Sequence, residues 1–195
     1  MIAKASNKIA IYFANNNIFK QEEVSVYSYG FELLLSTILN GLGILMISIF
    51  MKDILASILF TLAFIPLRLA GGGYHAKHHW SCILSINVAF LFFIVLLNNV
   101  SESFTSYYVL FVSMISSLII WILAPVEAAN KPVSESKQKN MRKRSIFIAI
   151  INMLVALSFF TIPILPVKIA AYYLSGAFAS SVSMVVASIT SKASK

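Results

Sequence analysis

Charge is scarce in this chain. Asp, Glu, Lys and Arg together make up 11% of its 195 residues, against about 25% in a soluble domain. Hydrophobic residues make up 59% and the mean hydropathy is +0.86, so most of the surface needs lipid as its solvent. Acidic residues are scarcer than basic ones, seven against fifteen, which leaves a net charge of +8. That excess does not imply a nucleic-acid partner. The basic residues lie in short gaps between long apolar runs, as they do where charge sets the orientation of a membrane protein. A single cysteine excludes an internal disulfide. Lys4, Asn7 and Lys8 interrupt the first apolar stretch and no small-residue cleavage site follows, so no secretory signal is expected.

What is present is a series of charge-free runs. A spanning helix needs about 20 mostly apolar residues, and the sequence predicts an all-α integral membrane protein with about six transmembrane helices in one domain, 1–195. The spans are expected near 31–51, 54–70, 82–101, 104–126, 145–163 and 168–190. Residues 1–20 read as an amphipathic helix lying in the interface, with Ile2, Ala5, Ile9, Tyr12 and Phe13 on one side and Lys4, Asn7, Lys8 and Asn15 on the other. The basic residues of the N-terminal arm, of the loop 127–144 and of the tail all fall on one side of such a six-helix path. Both termini and the segment 68–82 are therefore expected at the cytoplasmic face.

That segment, Arg68-Leu-Ala-Gly-Gly-Gly-Tyr-His75-Ala-Lys-His-His-Trp-Ser-Cys82, holds all three histidines and the only cysteine. The glycines permit backbone conformations closed to other residues and a close approach to a ligand. The plainer reading is a turn between helices. Cys82 with His75 suggests a nucleophile and its base. A free thiol titrates near about 8.5, and a neighbouring imidazole or cation lowers that value. Arg68 and Lys77 supply positive charge here. On one continuous helix, His75 and Cys82 would stand about 10 Å apart along the axis. Contact requires the segment to fold back, or Cys82 to start the next helix beneath His75. A buried structural cysteine is the ordinary alternative. Zinc ligation by His75, His78, His79 and Cys82 is a third reading, but the zincin pattern wants Glu where Ala76 stands. Glu32, opening the first span, is a candidate partner for Arg68. Neither metal nor cofactor is expected. A membrane transporter or exporter of a small peptide, without covalent catalysis, remains the alternative function.

The Arg-x4-Gly-x-His-x6-Cys arrangement, read with the membrane frame and the Ala-Pro-Val-Glu-Ala-Ala-Asn-Lys-Pro stretch at 124–132, resembles the AgrB family. These are membrane cysteine endopeptidases of quorum sensing. The resemblance implies cleavage of an AgrD-like precursor peptide through a thioester acyl-enzyme and closure of a thiolactone or lactone ring. It implies Cys82 as nucleophile, His75 as base and acid, and Arg68 and Gly73 as supporting residues. It also implies a possible homodimer in the bacterial cytoplasmic membrane, with membrane lipid as its surroundings. Leu69 stands where some members have a second arginine, and His78 and His79 are extra.

Overall fold

The computed structural model describes residues 2–73, 79–126, 135–162 and 166–193. It is helical: α1 (Ile2–Asn15), a 3-10 turn at Gln21–Glu23, α2 (Val24–Phe50), α3 (Ile54–Gly71), α4 (His79–Asn99), α5 (Glu102–Leu123), α6 (Glu135–Thr161) and α7 (Val167–Ala193). Among the described residues, five helices are long and apolar enough to cross a membrane: Gln21–Phe50, Ile54–Gly71, Trp80–Asn99, Glu102–Leu123 and Val167–Thr190. They expose large side chains such as Phe50, Met46 and Phe111, a surface suited to lipid.

The direction of each helix follows from its contacts. Ser48 Oγ donates to Ser57 Oγ (3.0 Å) beside the tight α2–α3 turn. In that turn Asp53 caps α3 by accepting from the Ala56 amide. Phe60 of α3 meets Phe90 of α4 edge-on at 5.1 Å. The Tyr172 hydroxyl at the start of α7 lies 2.5 Å from Asp53 Oδ2 and 2.8 Å from Asn98 Oδ1 at the end of α4. So α4 runs with α2 and against α3, while α7 runs with α3. Tyr108 of α5 and Ser175 of α7, 2.7 Å apart, set α5 parallel to α7.

Helix α7 is the centre of the bundle and packs on α3, α4, α5 and α6. Its small residues allow this. A Cβ on Gly176 would overlap the Phe60 carbonyl, and Ala170, Ala171 and Ala177 are fully buried; such positions let helix backbones approach in a membrane. Phe60, Phe90, Phe93, Ile94 and Leu174 fill one core cluster. Leu67, Ile120, Ala149, Ala177 and Met184 fill a second, nearer the end of α3.

Two expectations are corrected in detail. Helix α1 ends at Asn15 and not at 20, and its buried stripe is Ile2, Ser6, Ala10 and Ala14, packed on α2. Ala5 and Tyr12 are exposed, so the expected apolar side is not the one that packs on α2. Small residues make the better seat for a second helix, whatever their hydropathy. The basic stretch 127–144 is not a loop throughout, because residues from Glu135 onward form the first turns of α6. Glu, Lys, Gln and Arg are strong helix formers, and Glu135 suits the positive end of the helix.

Candidate functional site

Gly71, Gly72 and Gly73 end α3 for a structural reason. Gly72 has φ 76° and Gly73 has φ 138°, both in the region that favours glycine. The Gly72 amide donates to the Arg68 carbonyl (3.2 Å), and the Val126 amide donates to the Gly71 carbonyl (2.9 Å). Gly72 and Val126 form an isolated parallel bridge. A Cβ on Gly72 would overlap the Val126 carbonyl oxygen. The chain just past α5, at Ala124-Pro125-Val126, thus pins the glycine turn in place.

Arg68, in the last turn of α3 and half-buried, turns its guanidinium over Gly73. A Cβ on Gly73 would overlap Arg68 Nη1 and come within 2.9 Å of Ser183 Oγ. Arg68 Nη1 donates to Ser183 Oγ on α7. Arg68, at the end of α3, and Cys82, at the start of α4, lie at the same end of the bundle. Cys82 is a free, half-buried thiol in the first turn of α4, where a helix presents its positive end. The structure therefore brings Arg68, Gly73 and Cys82 to one end of the bundle, and adds Ser183, which sequence reasoning missed. Its only signal was a run of small, serine-rich residues, Ala-Ser-Ser-Val-Ser, in α7.

Glu32 is half-buried on α2 and engaged in an interaction. Its level can be read from a neighbouring contact. Asn87 Nδ2 donates to Asn40 Oδ1 at 3.3 Å, and α2 and α4 run in the same direction. Eight residues back from that pair, Glu32 stands level with the start of α4. His75, Lys77 and His78 lie outside the described residues, and His79 contributes its backbone to the first position of α4. Among the described residues no cluster of three or more His, Cys, Asp or Glu side chains could hold a metal. The zinc reading rests on the histidines beyond them.

Beside the glycine turn, a cavity of about 450 Å³ opens between α3 and α6, lined by Leu69, Lys137, Asn140, Met141 and Arg144. At the far end of the bundle, Asp53, Asn98 and Tyr172 form a polar clamp, with Lys168 Nζ 5.7 Å from the centre of the Tyr172 ring.

Comparison with known proteins agrees with this architecture. The chain is 29% identical over 137 residues to an AgrB-like protein of Clostridium beijerinckii, covering 68% of this chain and 67% of that one. It is 24% identical over 161 residues to AgrB-like protein 2 of Clostridium perfringens, covering 80% and 75%. It is 24% identical over 151 residues to accessory gene regulator protein B of Staphylococcus aureus, covering 77% and 80%. No solved structure matches the chain. The family model of Accessory gene regulator B matches residues 6–190, nearly the whole helical bundle, and the chain belongs to the AgrB family.

Proposed function

We propose that this protein is a membrane-embedded cysteine endopeptidase and cyclase. Membership of the AgrB family gives it a role in accessory gene regulation, the processing of a quorum-sensing peptide. The observation that supports the finer reading is that α3 and α4 bring Arg68 and Cys82 to one end of the bundle, where the glycine turn ends α3. A cysteine in the first turn of a helix, at the end of the bundle that also holds a cation, suits an attacking thiolate.

In this reading His75 takes the thiol proton and Cys82 Sγ attacks the precursor carbonyl that precedes the C-terminal tail. The carbon–nitrogen bond breaks, and the tail leaves as an amine with the proton returned by His75. A thiol or hydroxyl of the bound peptide then attacks the thioester. The Cys82 thiolate departs and the ring closes. Thioester to thiolactone exchanges like for like, so the second step is near thermoneutral. Siting the acyl-enzyme at the membrane boundary keeps water from hydrolysing it first. Arg68 steadies the sulfur anion, and Gly73 leaves room for the guanidinium and for the substrate backbone. Lys77 and Glu32 support the charge balance, and the basic stretch 127–144, through Lys131, Lys139, Arg142 and Lys143, attracts the acidic tail of an AgrD-like precursor.

The proposed topology has six spans, the sixth being the charge-free run 145–161 of α6. The site end of the bundle faces the cytoplasm, because the basic arm, the basic start of α6 and the tail all gather there. Function as a homodimer in the bacterial cytoplasmic membrane is part of the proposal.

The test is precursor cleavage by purified protein in liposomes. Cys82→Ala and His75→Ala each abolish cleavage, by at least about 10³-fold, while the protein stays folded in the membrane. Normal cleavage by Cys82→Ala would end the proposal. One observation favours peptide transport without covalent chemistry instead. Asn152, Ser116 and Ser180 are fully buried and lack hydrogen-bond partners among the described residues, as the lining of a polar path would. That reading requires transport to survive Cys82→Ser.

A further inference from the structure

The cavity between α3 and α6 has a chemistry of its own. Lys137, Asn140, Met141 and Arg144 recur at helical spacing along one stripe of α6 and face Leu69 in the last turn of α3. Lys137 and Arg144 bring two positive charges, and no carboxylate lines the cavity. Among the described residues neither has an ion-pair partner. Leu69 is 75% exposed and Met141 is half-buried, so the same opening offers an apolar floor.

Its level in the bundle is equally specific. Leu69 lies two residues before the end of a span that closes at Gly71. On α6 the cavity ends at Arg144, and the charge-free run begins at Ser145. Ser145 Oγ lies 3.4 Å from where a Gly71 Cβ would stand, which puts both boundaries at one height. A pocket with Lys137 and Arg144 outside that boundary or at it, and Leu69 just inside it, matches a phospholipid. The phosphate meets Lys137 and Arg144, Asn140 and Met141 flank the headgroup, and the acyl chain runs past Leu69.

We propose that this cavity is a binding site for an anionic phospholipid headgroup. Because Leu69 adjoins Arg68, and Gly71 packs on Met184 and Ser145, a lipid seated there bridges α6 to the end of α3 from which the glycine turn springs. Acidic peptide is the rival occupant, but a soluble carboxylate chain has no use for the lipid-facing apolar floor.

The proposal does not need the peptidase chemistry and is tested apart from it. The full chain is purified from nanodiscs of equal phosphatidylglycerol and phosphatidylcholine, and its retained lipid is counted by native mass spectrometry. Wild type keeps phosphatidylglycerol over phosphatidylcholine by about fivefold or more. The double variant Lys137→Gln/Arg144→Gln loses that preference. The charge-matched control Lys139→Gln/Lys143→Gln, altered outside the cavity, keeps it. No preference in wild type overturns the proposal, as does an equal loss in both variants, which would mean general surface attraction. A short glutamate-rich peptide binding wild type, but not Lys137→Gln/Arg144→Gln, in the absence of any phosphatidylglycerol preference would assign the cavity to peptide and also overturn it.

Discussion

Gly73 shows how one missing side chain arranges a site. Its φ of 138° strains any other residue, and a Cβ there would overlap the guanidinium of Arg68. Gly73→Ala should therefore push Arg68 off Ser183 and away from Cys82. The expected result is a loss of precursor cleavage of about 10²-fold or more, of the order that misplacing a catalytic group costs. Thermal unfolding in detergent should show the bundle intact. Arg68→Lys keeps the charge but not the planar fork, and an ammonium cannot span the same two partners. Cleavage by Arg68→Lys should fall further than cleavage by Ser183→Ala, which removes one acceptor and leaves the cation in place. Comparable rates for these two variants would mean that the contact with Ser183, and not the guanidinium, is what matters.

Among the helices, α3 and α7 are clamped at both ends by different chemistry, and α4 joins them at the far end. At the far end, Tyr172 reaches Asp53 and Asn98; at the site end, Arg68 reaches Ser183. Tyr172→Phe keeps the ring and deletes both far-end contacts. It should lower stability by about 1–2 kcal/mol, the scale of an interhelical polar contact in a membrane protein, and leave cleavage per folded molecule unchanged. Denaturation with simultaneous activity measurement checks both halves.

The same helices show what was legible beforehand. Charge-free runs bounded by Lys52-Asp53 and Glu102 announce α2 to α5, because each boundary is a charge or cap that cannot sit in lipid. Leu69, Ala70 and Gly71 belong to α3, because the 14-residue charge-free run 54–67 is too short to span alone. The partners across the bundle were not legible. Nothing local in Val126 says that its amide will close the glycine turn. Ser183 lies more than 100 residues from Arg68, and one serine among several in α7 carries no mark of its role. The seat of α1 on α2 was not legible, because packing against a helix selects small residues such as Ser6 and Ala10 and not the most apolar ones.

For the whole molecule, the start of α2, the glycine turn, Cys82, the start of α6 and the passage of α7 past Ser183 share one end. If that end is cytoplasmic, reporter fusions at both termini should be active in the cytoplasm. Fusions in the 51–53 and 99–101 turns should be active outside. A terminus reporting from the outer side would remove the basis for the proposed orientation.

The central claim concerns the sulfur of Cys82. Purified protein mixed with an AgrD-like precursor and quenched in acid should carry, by intact mass spectrometry, the peptide minus its tail. Hydroxylamine should release that adduct, and Cys82→Ala should never form it. Release of the tail at an undiminished rate after Cys82 has been fully alkylated would contradict the account.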